Sequence, residues 1–128
     1  MRLLAEISTG ELIDKLTILE IKLDRIDDPA KRANVAREYS ILSNVLPVEI
    51  DTDETIKHLR GELKGVNAEL WRIEDDIRAE ERSGRFGVEF IALARAVYQI
   101  NDKRAALKRE INMRTQSAIV EEKSYEPY

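Results

Sequence analysis

The stretch that decides the fold is residues 53–82, DETIKHLRGELKGVNAELWRIEDDIRAEER. Its large apolar side chains recur at alternating steps of three and four: Ile56, Leu59, Leu63, Val66, Leu70, Ile73 and Ile77. This spacing predicts a long helix that packs along another helix. A rise of about 1.5 Å per residue makes the apolar stripe roughly 45 Å long, so helical partners of similar length must cover it. The stretch therefore predicts an all-α fold.

A second long helix is predicted over residues 88–113. Its apolar stripe consists of Phe90, Leu93, Val97, Ile100, Leu107 and Ile111. The short segment SGRFG, residues 83–87, is rich in turn formers and separates the two long helices. Because a connection of this length returns the chain alongside itself, the two helices are predicted to form an antiparallel hairpin.

Two shorter helices are predicted before the hairpin. Ser8 and Glu11 have the spacing of a capping box, which predicts that the first helix starts there. Pro29, preceded by two aspartates, ends that helix and opens a second one over residues 29–46. The sequence thus predicts an antiparallel bundle of about four helices with a long C-terminal helical hairpin, formed as one domain by residues 1–128.

Three smaller features complete this prediction. Residues 48–52 are expected to form a loop or a short extended piece. Gly61 and Gly65 lie inside a helix, where glycine costs about 1 kcal/mol relative to alanine, so we expect a neighbouring backbone to approach closely there. Residues 117–128 have no helical period and are predicted to form an extended tail, either frayed or lying on a neighbour.

The composition argues against several classes of protein. The 128 residues include 21 bases and 25 acids, which gives a formal net charge of -4 and no cysteine for a thiolate metal site. Charges of both signs are interspersed, so no basic surface for nucleic acid is predicted. No apolar run is long enough to span a membrane, and no apolar leader follows Met1. We therefore expect a cytoplasmic protein that contacts neither nucleic acid nor membrane.

Arg104 is the main anomaly, because the helical period requires Leu or Ile at its position. A guanidinium at such a place must reach solvent or find a carboxylate. We expect the polar run of residues 101–104 to form a salt-bridged cluster with the acidic run of residues 74–76 on the preceding helix. Arg104 would then be a half-buried ion pair that fixes the register of the bundle. The functional alternative is that Arg104 holds an anion or a phosphate.

Glu11 and Asp14 are the predicted metal ligands. Carboxylates on facing helices are the usual ligands of divalent cations in all-helical proteins, and these two share one face of the first helix. The pair partly matches the E-x-x-E element of MazG-like nucleotide pyrophosphatases, although the second acidic element lacks its spacing. In a chain with 25 acids such a pair also arises by chance.

Four strings carry a resemblance to a known family: GELIDKLTILEIK (10–22), LWRIEDDIR (70–78), FIALARAVYQINDKRAALKREIN (90–112) and IVEEKSY (119–125). Across nearly its whole length the chain resembles a bacterial family of small helical proteins known only as a domain of unknown function. The resemblance supplies no reaction. It implies that the tail belongs to the domain and that any site lies among the polar residues of these strings. The ligand-binding candidates are Lys15, Glu74, Arg78, Tyr98, Asn101, Asp102, Arg104 and Lys108.

Two functions follow from these observations. The first is an interaction or structural module that self-associates as a dimer through the long hairpin, because the hairpin helices extend past the shorter ones by roughly ten residues and would expose apolar surface. The alternative is a binder or magnesium-dependent hydrolase of a small phosphorylated ligand, with no other cofactor. Its site would combine Glu11, Asp14, Glu74, Asp102 and Arg104. Whether the protein is an enzyme stays open.

Overall fold

The computed structural model of the chain describes all 128 residues and contains helices but no strands. Five helices follow one another along the chain: α1 (Thr9–Arg25), α2 (Pro29–Ser43), α3 (Val48–Asp51), α4 (Glu54–Arg82) and α5 (Val88–Arg114). The predicted all-α bundle with a long C-terminal hairpin is confirmed. The additional helix, α3, is a single turn, where a loop or short extended piece was expected, so that prediction was wrong.

The hairpin of α4 and α5 is the longest unit of the fold, with helices of 29 and 27 residues. Gly84 adopts a positive φ of 66° in the connecting turn, a conformation that residues with a Cβ seldom adopt. Ile73, Leu93 and Ile100 are buried between the two helices. These residues belong to the stripes that the sequence identified.

Helix α1 lies on the hairpin and contacts α2, α4 and α5. Near the open end of the hairpin, Ile13 packs into a core with Ile56, Leu63 and Ile111. Gly10 of α1 meets the end of α5 and Asp14 meets its middle, so this part of α1 runs antiparallel to α5. Asp14 bonds to Asn67 of α4, whereas Glu20 bonds to Arg60, so α1 crosses α4 rather than running parallel to it. Helix α2 packs on the outer side of α1 and buries only Val35.

Side-chain caps set the helix starts as predicted. The Ser8 hydroxyl accepts a hydrogen bond from the Glu11 backbone N–H at 3.1 Å and caps α1. The Asp28 carboxylate accepts a hydrogen bond from the Lys31 backbone N–H and caps α2, which begins at Pro29. Only half of the predicted capping box forms, because the Glu11 carboxylate bonds to a lysine on α5 instead.

The glycine prediction was wrong in its positions. A Cβ added at Gly61 or Gly65 would meet no atom within 4 Å, so no neighbouring backbone approaches there. The close approach is instead at Gly10, where an added Cβ would lie 2.5 Å from the backbone oxygen of Lys108. The Gly10 N–H also donates to the side-chain oxygen of Asn112 at 2.7 Å. Gly10 thus sets how closely α1 packs on α5.

Helix α1 does not cover the turn end of the hairpin. The buried cluster of Ile73, Leu93 and Ile100, with the apolar side chains packed against it, contains residues of α4 and α5 only. Toward the turn, α4 and α5 therefore cover only each other. Large apolar side chains there are exposed, among them Val88, of which 85% remains accessible.

Candidate functional site

A buried ion pair between Asp14 and Arg104 joins α1 to α5. The Asp14 side chain is fully buried, and two nitrogens of the Arg104 guanidinium donate hydrogen bonds to its carboxylate. Nε of Arg104 donates to Oδ1 of Asp14 at 3.0 Å, and a terminal nitrogen donates to Oδ2. This bidentate arrangement raises the pKa of the Arg104 guanidinium further above its ordinary value. Arg104 is therefore the half-buried ion pair that its position predicted.

Two further side chains complete the surroundings of Asp14. The amide nitrogen of Asn67, on α4, donates to Asp14 Oδ1 at 2.8 Å and to the Thr17 hydroxyl at 2.9 Å. Thr17 in turn donates to the backbone oxygen of Asp14 at 2.7 Å. Asp14, Thr17, Asn67 and Arg104 form one network, here called the Asp14 network, which ties α1, α4 and α5 together.

The partner predicted for Arg104 was wrong. Its carboxylate comes from α1, whereas the acids of residues 74–76 do not reach it. Glu74 bonds to Arg78 and Asp76 to Arg72, both on α4 itself. The two long helices are therefore not joined by the expected salt-bridged cluster.

Lys108 forms a second link between α1 and the C-terminal part of the chain. Its ammonium group donates to Glu11 at 2.6 Å and to Glu121 of the tail at 3.0 Å. Burial disfavours the charged form of Lys108, but the two carboxylates outweigh burial and raise its pKa. Lys108 thus stays protonated and holds the tail against α1.

The two predicted metal ligands do not share an open position. The Asp14 carboxylate is enclosed by the Asp14 network, and the Glu11 carboxylate bonds to Lys108. Nowhere in the molecule are three or more histidine, aspartate or glutamate side chains arranged to hold a metal ion. The geometry therefore offers no support for Glu11 and Asp14 as a magnesium site.

An open groove of about 540 Å³ lies between α1, α4 and α5 beside the Asp14 network. Its apolar lining is Ile18, Ile21, Leu70 and Trp71, and its polar lining is Asn67, Glu74, Asp75, Arg78, Asn101 and Arg104. Four ligand-binding candidates of the sequence are thus brought together: Glu74, Arg78, Asn101 and Arg104. The other four do not line it: Lys15, Tyr98, Asp102 and Lys108.

The sequence missed three residues that hold this region together. Asn67 lies next to the apolar stripe of α4 and Thr17 lies within α1, and both are buried. The signal that could have identified these two residues is a small polar side chain among apolar helical neighbours. Asn112, which bonds to Gly10, gave no signal because it sits among the charged residues at the end of α5.

The tail, residues 117–128, is extended and runs back along α5. Asp102 on α5 accepts from Lys123 at 2.5 Å and from the Tyr128 hydroxyl at 2.7 Å. The rings of Tyr98 and Tyr128 meet edge to face, 5.0 Å apart. Hydrogen bonds from Lys123 and Tyr128 lower the pKa of the Asp102 carboxyl, and the bond to Asp102 raises the pKa of Tyr128. The tail thus lies on its own helix rather than on a neighbour.

Replacing Asp102 by asparagine is expected to release the end of the tail. The change removes the charge that Lys123 and Tyr128 both contact, while leaving the side-chain size unchanged. Hydrogen exchange should become several-fold faster for residues 123–128 and stay unchanged in the middle of α5. Asp75→Asn, an exposed change on α4, is the matched control and should leave the tail protected.

A pH titration of tail protection checks the same contact. The pKa of Asp102 lies below its ordinary value of 3.8 when the tail is docked. The carboxylate therefore contributes fully above that value, and its contribution is lost as the pH falls through the lowered pKa. The loss of tail protection at low pH should be absent in Asp102→Asn. If the loss persists in that variant, Asp102 does not hold the tail.

The outer side of α5 near the turn forms an exposed surface, here called the distal face. It consists of Val88, Ile91, Ala92, Arg95 and Tyr98, which helical spacing places together. Ile91 is 54% exposed and Tyr98 44%. Since Leu93 and Ile100 are buried on the opposite side, this part of α5 is apolar on two sides. A helix of that kind normally lies between two partners.

These features define an all-helical bundle in which a central helix is fixed to a long hairpin by a buried ion pair. A family model matches residues 3–128, and the chain belongs to that family, DUF6165, a family of unknown function. This confirms the resemblance that the four strings indicated. Searches of curated proteins and of solved structures found no match. None of the helices is both long enough and apolar enough to cross a membrane.

Proposed function

We propose that this protein is an interaction module that self-associates as a dimer through the distal face. The observation that carries the proposal is the second apolar side of α5, which no other helix covers and which the tail touches only at Tyr98. Within this face, 85% of the Val88 side chain and 54% of the Ile91 side chain are exposed. Contiguous apolar surface of this kind marks sites of protein contact.

Charge complementarity favours a second copy of this chain as the occupant. Glu89 and Arg95 are exposed and form no ion pair within the chain. Both lie equally far along α5 from Ala92, a small residue that allows two helices to approach closely. A two-fold axis near Ala92 would therefore set Glu89 of each copy opposite Arg95 of the other. Opposite charges paired in this way specify an antiparallel contact.

Ile91→Arg is expected to weaken self-association about thirtyfold. Half of this side chain is still exposed, so covering it contributes about 1 kcal/mol in each copy, and a two-fold contact loses the contribution twice. Sedimentation velocity over a concentration series measures the change. Ile41→Arg, at a residue of α2 with nearly the same exposure, is the matched control and should leave the dissociation constant unchanged.

Charge reversal tests the two-fold arrangement separately. Glu89→Arg and Arg95→Glu should each weaken the dimer about tenfold, because each sets like charges opposite one another. The double variant restores opposite charges and should regain most of the affinity. Single variants with no effect, or a double variant weaker than both, would rule out this geometry.

The alternative function, binding or hydrolysis of a phosphorylated ligand with magnesium, has less support in the geometry. Arg78 and Arg104 line the groove, but so do Glu74 and Asp75, which would repel a phosphate. Asp14 and Glu11 are already engaged by other side chains. We therefore keep self-association as the proposed function and treat the groove separately.

A further inference from the structure

We propose that the groove between α1, α4 and α5 binds an uncharged sugar through Trp71, Asn101 and Arg104. This inference is independent of self-association, because the distal face shares no residue with the groove. The volume of the groove, about 540 Å³, lies within the range of sites for small ligands and is ample for one or two sugar rings.

The charges in the groove select a neutral ligand. The guanidinium of Arg78 pairs with Glu74, and that of Arg104 pairs with Asp14, which lies behind it. Asp75 is the one charged side chain of the lining that forms no ion pair. An anion would meet the carboxylates and a cation the guanidinium groups, so an uncharged polar molecule has the lowest electrostatic cost.

Unused hydrogen-bonding groups in the groove match hydroxyl groups. The Asn101 amide has no partner within the chain, and Arg104 keeps one terminal nitrogen free after binding Asp14. Asp75 also has no side-chain partner. Together they present both donors and acceptors, and a hydroxyl group can satisfy either kind because it donates one bond and accepts others.

Trp71 supplies the surface for the ring itself. It is half-buried and lines the groove together with Leu70 and Ile21, so part of its indole faces the groove. An indole packs well against the C–H side of a sugar ring, which is apolar, while its N–H remains available to a hydroxyl group. An aromatic surface flanked by an amide and a guanidinium is thus suited to a ring with hydroxyl groups at its edge.

Fluorescence of the full chain tests the proposal directly, because Trp71 is the only tryptophan. The probes are glucose, galactose, N-acetylglucosamine and their disaccharides, with glucose 6-phosphate and inorganic phosphate as charged comparisons. At least one neutral sugar should change the emission saturably, with a dissociation constant near 1 mM, and the charged probes should bind at least about tenfold more weakly.

Asn101→Ala should weaken sugar binding about tenfold without altering the thermal midpoint, since the amide has no partner in the chain to lose. Asn34→Ala, at an exposed position of α2, is the control and should bind as the parent chain does. No saturable change with any neutral sugar up to about 100 mM would overturn the proposal. Tighter binding of the phosphates, or full binding by Asn101→Ala, would overturn it equally. Ile91→Arg should leave sugar binding unchanged, which separates this result from that for the dimer.

Discussion

Replacing Arg104 by methionine is expected to lower the free energy of unfolding by about 3 kcal/mol, because it leaves the buried charge of Asp14 without its ionic partner. Breaking a buried pair usually costs about 3–5 kcal/mol, and the partial exposure of Arg104 places this change at the lower end. Urea denaturation followed by circular dichroism measures the difference. Any probe that reports on α1 should show this loss of stability, since the pair fixes α1 to the hairpin.

Two further variants make this prediction specific to the pair. Arg72→Met removes an exposed guanidinium that bonds to Asp76 at 2.9 Å and should change stability by less than about 0.5 kcal/mol. The double variant Asp14→Leu, Arg104→Met replaces both charges by apolar groups and should recover at least half of the loss. If Arg104→Met were as mild as Arg72→Met, the Asp14 network would not be what holds α1 in place.

Gly10→Ala is expected to destabilise the fold by about 2–3 kcal/mol, because the new methyl group would lie 2.5 Å from a backbone oxygen of α5. Backbone atoms cannot move aside as a flexible side chain can. Helix α1 would have to shift away from α5, and the hydrogen bond from Gly10 to Asn112 would lengthen. The same denaturation experiment measures this change, and the crossing of α1 and α5 should loosen in hydrogen exchange.

Gly65→Ala is the matched control and should have the opposite sign. Its added Cβ meets nothing within 4 Å, and alanine favours a helix over glycine by about 1 kcal/mol, so we expect stabilisation of about 0.5–1 kcal/mol. Equal effects of the two substitutions would mean that α1 does not press on α5 at Gly10.

The sequence predicted the helices well because helices are local. The stripe of α4 and the proline at the start of α2 depend on spacing and on backbone chemistry that neighbouring residues determine. Single-turn α3 was missed because so short a segment carries no period. It starts after Pro47, whose extended conformation ends the preceding turn.

The site was harder to predict, because it depends on how α1 is rotated on the hairpin. Arg104 could be recognised as a charge in an apolar position, but Asp14 was predicted to be a metal ligand beside Glu11 and not the ion-pair partner of Arg104. Asp14 is buried because of the rotation of α1 that places Ile13 in the core. The apolar pattern of α1 does not determine this rotation, because α1 is apolar over much of its circumference. The same reason explains why the close approach at Gly10 was not predicted.

The tail shows a third kind of limit. Its extended form followed from the lack of a helical period, but its docking on α5 depends on pairs such as Lys108 with Glu121 and Asp102 with Tyr128. Such pairs join positions that the tail reaches only by turning back after Thr115. The turn uses Gln116, which has a positive φ of 50°, and a glutamine side chain does not indicate that conformation.

Sedimentation equilibrium of the unaltered full chain tests the central claim, that the distal face joins two copies of this protein. At concentrations of about 1–100 μM we expect a single self-association that approaches the mass of two chains, and Ile91→Arg should shift it toward the mass of one. The mass of one chain throughout that range, with no difference between the unaltered chain and Ile91→Arg, would contradict the account.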